Sequence, residues 1–139
     1  AFPMRYFMSP EPGPAQPQKR ILIADDELLN RELLYRMLRS TAEVSEAATG
    51  RQALDMIENE HFDLVLLDVL MPGLTGIEVL KMIRAMPQTA NLPVIMISEF
   101  TRDDEVVRGL EIDDADYLLK PIDLDALLAR VETYLSRRE

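Results

Sequence analysis

From Lys19 onward the apolar positions change period several times. Ile21-Leu22-Ile23-Ala24 is a short unbroken apolar run, the mark of a strand buried on both faces. Leu29, Leu33, Leu34, Met37 and Leu38 then recur at helical spacing, predicting a helix with Leu29 turned inward and Leu28 exposed. A weaker strand follows at Ala42–Ala47. Gly50 punctuates the chain, and Ala53, Leu54 and Ile57 mark a second helix. Leu64-Val65-Leu66-Leu67 is the strongest buried strand, followed by a loop over Met71–Thr75 that holds Pro72 and Gly73. Ile77, Val79, Leu80 and Ile83 predict a third helix, and Val94-Ile95-Met96-Ile97 a fourth strand. A fourth helix is expected over about Asp103–Ile112, with Thr101 as its cap. A short strand at Tyr117-Leu118-Leu119 and a helix over about Leu124–Leu135 complete the series.

Five strands alternating with five helices predict right-handed βαβ crossovers. The fold class is therefore α/β, with a parallel sheet covered on both faces. Ligands of such sheets sit at the carboxyl ends of the strands, near the switch in strand order. Those ends are where chemistry is to be sought.

Composition changes this picture at the N-terminus. Five of the nine prolines fall within residues 1–18, so this stretch reads as a flexible Pro-rich tail or a remnant of expression, and residues 19–139 as the single domain. Phe2, Tyr6 and Phe7 would make the tail a docking segment, but a plain leader is the simpler reading. The formal net charge of −10 repels phosphate backbones and argues against direct nucleic-acid binding. No apolar run approaches the roughly 18 residues of a membrane span. The absence of cysteine excludes thiolate chemistry and disulfides, and fits a cytoplasmic setting.

The strand ends carry an unusual set of residues. The first ends in Asp25-Asp26-Glu27, the third in Asp68, the fourth in Ser98 and the fifth in Lys120-Pro121. Two carboxylates about 4 Å apart repel by about 4 kcal/mol at an effective dielectric near 20. Clustered acids therefore need a shared proton or a cation. Oxygen donors without His or Cys favour Mg²⁺ or Mn²⁺. Each residue also has a plain reading: Asp25 and Asp26 as caps of the first helix, Asp68 as a turn acid, Ser98 as a loop hydroxyl, Lys120 as a surface cation. Their coincidence at four ends of one sheet weighs against those readings.

The motifs Ile21-Leu22-Ile23-Ala24-Asp25-Asp26-Glu27, Leu66-Leu67-Asp68-Val69-Leu70-Met71-Pro72-Gly73, Ser98, and Asp116-Tyr117-Leu118-Leu119-Lys120-Pro121 together resemble the receiver domain of two-component response regulators. The resemblance covers about Arg20–Leu135. It implies a flavodoxin-like (βα)5 sheet in the order 2-1-3-4-5 and a phosphorylation-activated signalling switch rather than an enzyme. Asp68 would be the phosphoacceptor, charged from a phosphohistidine on a sensor histidine kinase or phosphotransfer protein. Asp26, Asp68 and the backbone carbonyl of Leu70 would bind Mg²⁺ (or Mn²⁺), with Asp25 acting through a water. Lys120 and Ser98 would meet the phosphoryl oxygens, and Tyr117 would follow Ser98 in the switch. The resemblance also implies a cis Lys120–Pro121 bond, and a face of fourth helix, fifth strand and fifth helix that shifts on phosphorylation and serves for homodimers.

Local features depart from the family pattern or refine it. Glu111-Ile112-Asp113-Asp114-Ala115-Asp116 places acids where the family often has glycine and alanine, which predicts a loose corner. Leu70 and Phe100 stand two residues past Asp68 and Ser98, at positions that tune hydrolysis of the phosphoaspartate in the family, so they are expected to lengthen its lifetime. Leu28 is a candidate kinase contact. His61, the single histidine, is expected in a solvated loop, and the methionines are expected to fill the core. Two other readings compete. A degenerate receiver used only for binding would usually have lost Asp68, Lys120 or an acid of the pair, and none is missing. A magnesium-dependent aspartate-nucleophile phosphatase would carry Asp-x-Asp after the first strand, whereas here the acids are adjacent.

Overall fold

The computed structural model describes residues 18–99 and 115–136. The tail, Phe100, the expected fourth helix with Thr101, and the Glu111–Asp114 part of the acidic corner lie outside the described residues. Five parallel strands, β1 (Arg20–Ala24), β2 (Glu43–Ala47), β3 (Leu64–Asp68), β4 (Val94–Ser98) and β5 (Asp116–Leu119), form one sheet in the order β2-β1-β3-β4-β5. Four helices are described: α1 (Leu28–Leu38), α2 (Gly50–Asn59), α3 (Gly76–Ala85) and α4 (Leu124–Leu135), the last being the fifth helix of the sequence expectation.

The unbroken apolar runs are explained by the two faces they serve. Ile21, Ile23, Leu64, Leu66, Ile95 and Ile97 point to one side, where Leu34 and Leu38 of α1 and Leu127 and Val131 of α4 cover them. Leu22, Val65, Leu67, Val94 and Met96 point to the other, under Ala53 and Ile57 of α2 and Ile77, Leu80 and Ile83 of α3. Side chains alternate along a strand, so a strand covered on both faces must be apolar at every position. β2, at the sheet edge, keeps only Ala47 fully buried and accordingly reads Glu-Val-Ser-Glu-Ala. At the other edge, the Asp116 carboxylate accepts hydrogen bonds from Arg130 and the Tyr134 hydroxyl and so ties β5 to α4.

The register of α1 corrects one expectation. Leu29 is 77% exposed and Leu33 46%, while Leu28 is exposed as expected. The inward stripe of α1 is Arg31, Leu34 and Leu38, at the i, i+3, i+7 spacing of one helix face, and this turns Leu29 and Leu33 to the opposite side. An arginine thus takes an inward place that the apolar pattern assigned to a leucine.

Candidate functional site

The parallel sheet brings the carboxyl ends of β1, β3, β4 and β5 to one edge. Its order reverses between β1 and β3, so Asp25, Asp26 and Asp68 fall beside the switch point. Carboxylate oxygens of these three residues lie within 4.8 Å of one another. Asp26, Glu27, Asp68, Leu70, Ser98, Glu99 and Lys120 line a small open pocket above them. The sequence expectation named Asp25, Asp26, Asp68, Ser98, Lys120 and Leu70, and the fold brings all of them to this edge. Tyr117 lies one strand further out, half-buried against the core beneath α2 and α3.

Asp25 and Asp68 are buried, at 3% and 5% exposure, and Asp26 is exposed. Lys120 reaches in from beyond β5, its Nζ 3.5 Å from Asp68 Oδ2 and 3.8 Å from Asp25 Oδ2. Its backbone N–H donates to the Ser98 carbonyl at 2.7 Å, so the loop bearing the ammonium hangs from the strand bearing the hydroxyl. The Lys120–Pro121 bond is cis. Asp25 is further held by the Glu27 N–H at 2.9 Å and the Asn30 side-chain amide at 3.4 Å.

These neighbours set the charge state of the site. Burial, then repulsion from Asp25, pushes the Asp68 carboxyl up to about 6, although Lys120 and the Leu70 backbone N–H work the other way. Burial works to discharge Lys120, but Asp68 and Asp25 outweigh it and raise its pKa. Among the described residues one ammonium faces three carboxylates and does not neutralise them. The surplus of negative charge and an all-oxygen donor set fit a hard divalent cation and do not fit zinc.

The plain reading of the acidic pair fails here. The N-cap of α1 is Glu27, which makes no side-chain cap bond, and neither aspartate caps the helix. Sequence reasoning placed Glu27 at the strand end without giving it a role, and it missed Glu99 in the pocket lining and Gly76. A Cβ on Gly76 would stand 1.9 Å from the Asp68 carbonyl oxygen, so only glycine lets α3 start directly against the end of β3. A signal was available in Thr75-Gly76-Ile77-Glu78, where Thr75 and Glu78 form a reciprocal capping box around that contact.

Comparison with known proteins agrees with this geometry. Residues 21–132 match the family profile described as the response regulator receiver domain. The chain is similar to the transcriptional regulatory protein AfsQ1 of Streptomyces coelicolor, 36% identical over 119 residues that cover 86% of this chain and 52% of that protein. It is 40% identical over 119 residues to the response regulator MprA of Mycolicibacterium vanbaalenii, covering 85% of this chain and 51% of that protein. It therefore spans about half the length of these curated relatives. The solved receiver domain of the Francisella response regulator 1452 superposes with a TM-score of 0.76 at 30% identity, over 87% of this chain and 99% of that one. A putative response regulator from Chloroflexus aurantiacus gives 0.74 at 33% identity, over 88% and 100%. With its sheet order, strand-end acids and profile match, the chain belongs to the response regulator receiver domain family.

Proposed function

We propose that this domain is a phosphorylation-operated switch of a two-component system, in which Asp68 accepts the phosphoryl group. One observation carries the reading: a buried carboxylate at the switch point of the sheet, 3.5 Å from a half-buried ammonium and crowded by two further acids. The Asp68 carboxyl titrates near 6, so it is largely ionised at neutral pH and available as a nucleophile. Its oxygen forms the new O–P bond as the P–N bond of a donor phosphohistidine breaks, giving an aspartyl phosphate. Phosphoryl transfer asks mainly for positioning and charge neutralisation. Lys120 meets the phosphoryl charge, and the Ser98 hydroxyl donates to a phosphoryl oxygen, with Tyr117 following that movement. Asp26, Asp68 and the Leu70 carbonyl, with Asp25 acting through a water, would hold Mg²⁺ or Mn²⁺, which when bound supplies further positive charge at the phosphoryl oxygens.

The donor in this reading is a sensor histidine kinase or phosphotransfer protein. Leu28 and Leu29 open α1 beside the acidic pair, 57% and 77% exposed, and offer apolar anchors to it. The output lies with whatever protein or domain reads the switch.

Incubation with a phosphohistidine-bearing kinase domain and Mg²⁺ tests the proposal. Stoichiometric transfer to the wild type, and none to Asp68→Asn, is expected. Steady turnover of a generic phosphate ester would instead make the protein a phosphatase. No transfer from any phosphohistidine or acyl phosphate donor would make it a binding module.

A further inference from the structure

Arg31 is a half-buried charge near the site that the phosphoryl chemistry does not use. Its side chain is only 14% exposed, on the inward face of α1, where the helix otherwise buries Leu34 and Leu38. Taking a guanidinium out of water is costly unless its donors are well used. Here Nη1 donates to the backbone carbonyl of Asp25 at 2.7 Å, and Nε pairs with Glu46 of β2 at 3.2 Å. The same residue acts through its backbone, where the Arg31 N–H donates to the Glu27 carbonyl at 3.1 Å. The Arg31 side chain therefore grips the residue before Asp26, while the residue after it is held by the first backbone bond of the helix. The neighbouring contacts close the frame. The Asp25 N–H donates to Ala47 of β2, and the Glu27 N–H returns to the Asp25 carboxylate.

We infer that Arg31 is a positioning residue that aims the exposed Asp26 carboxylate at the cation site by clamping the Asp25 carbonyl before it, with Glu46 of β2 orienting the guanidinium. The inference rests on the proposed reading of the acidic cluster as a Mg²⁺ site. It extends that site to β2, a strand that contributes no residue to the pocket. A carbonyl held by a charged donor fixes the peptide between Asp25 and Asp26, and so the direction in which the Asp26 side chain leaves the backbone.

The alternative role is that of a bystander charge, and the two roles differ in sign. A cation near a divalent metal site repels the metal, so a bystander arginine removed by Arg31→Met would leave Mg²⁺ binding tighter. A clamp removed by the same substitution leaves it weaker. Arg31→Lys keeps the charge but cannot bridge the Asp25 carbonyl and Glu46 with one fork, so a bystander predicts no change there and a clamp predicts a loss.

The test is calorimetric titration of Mg²⁺ into the unphosphorylated full chain, beside hydrogen exchange of the Glu27 amide without metal. Weakening by roughly three- to tenfold in Arg31→Met, the scale of one lost hydrogen bond, is expected, with a smaller weakening in Arg31→Lys. Faster exchange of the Glu27 amide is expected in both. Unchanged or tighter Mg²⁺ binding in Arg31→Met with unchanged exchange overturns the clamp while leaving the site reading intact. A wild-type protein that binds no Mg²⁺, or binds it as well after Asp26→Asn, overturns the site reading and this inference together.

Discussion

Asp63 and Asp68 stand at the two ends of β3 and are treated in opposite ways. Asp63 accepts the Arg20 backbone N–H at 2.8 Å and pairs with the exposed His61 at 3.1 Å. The cluster around it is balanced: the Arg20 guanidinium bonds to Glu60 at 2.7 Å, to the His61 carbonyl at 2.9 Å, and lies over the Phe62 ring. Although burial works against it, the Arg20 backbone N–H, His61 and Lys19 hold the Asp63 carboxyl below its usual range. At the other end, burial and Asp25 raise Asp68 to about 6. At the amino end of the sheet Arg20 and His61 answer the carboxylates of Glu60 and Asp63. Among the described residues the carboxyl end is short of positive charge, and a ligand that completes it can change the molecule's energy. The two aspartates show that residue type alone sets neither role: the neighbours of each do.

The comparison breaks most sharply in a phosphorylation assay. Asp68→Asn is expected to abolish incorporation, while Asp63→Asn leaves it near wild type. Equal loss in both would mean that Asp63 serves the chemistry rather than the fold.

Stability should move in opposite directions at the two ends. Without divalent metal, Asp68→Asn is expected to stabilise the fold by about 2–3 kcal/mol above pH 6.5, the size of a shift from 3.8 to about 6. The sign follows from the raised pKa. Below the ordinary value the carboxyl is protonated in both states and contributes nothing. Between the two values only the unfolded chain is ionised, so stability falls as pH rises and stays lower above the folded pKa. Denaturant melts of wild type and Asp68→Asn should therefore coincide near pH 3.5 and separate by pH 6.5. A gap that is constant with pH would show that the carboxyl is not perturbed.

Gly76→Ala probes how tightly the carboxyl end is built. Its new Cβ meets the Asp68 carbonyl, so a loss of about 1–3 kcal/mol in a melt and slower phosphorylation are expected. Asp63→Asn should cost about 1–2 kcal/mol, because the Arg20 N–H loses a charged acceptor. The smallest effect is kinetic. Leu70 is 49% exposed on the pocket rim, and Leu70→Asn is expected to shorten the phosphoryl lifetime severalfold, read from decay of the phosphoform. An unchanged lifetime would leave Leu70 as a flank of the site.

Much of this was legible in the chain. The runs at Ile21–Ala24, Leu64–Leu67 and Val94–Ile97 announce central strands because nothing polar survives between two helical layers. The acids, Ser98 and Lys120 are readable because each directly ends such a run. His61 in a polar stretch was rightly expected to be solvated, and Met71 and Met96 are buried, though Met82 is 39% exposed. What was not legible depends on contacts between distant segments. Leu29 satisfies the helical period, yet Arg31 takes the inward face because Glu46 and the Asp25 carbonyl await it there. No spacing along the sequence announces that meeting, since β2 and α1 are brought together only by the crossover. The opposite fates of Asp63 and Asp68 are hidden for the same reason.

The proposed role of Asp68, a phosphoacceptor that needs a divalent cation, is open to a direct test. Intact-mass and peptide-level mass spectrometry after incubation with a small acyl phosphate donor, with and without Mg²⁺, tests it directly. One phosphoryl adduct is expected on the peptide containing Asp68, present only with Mg²⁺ and absent from Asp68→Asn. An adduct that persists in Asp68→Asn, or that forms equally well without Mg²⁺, would contradict it.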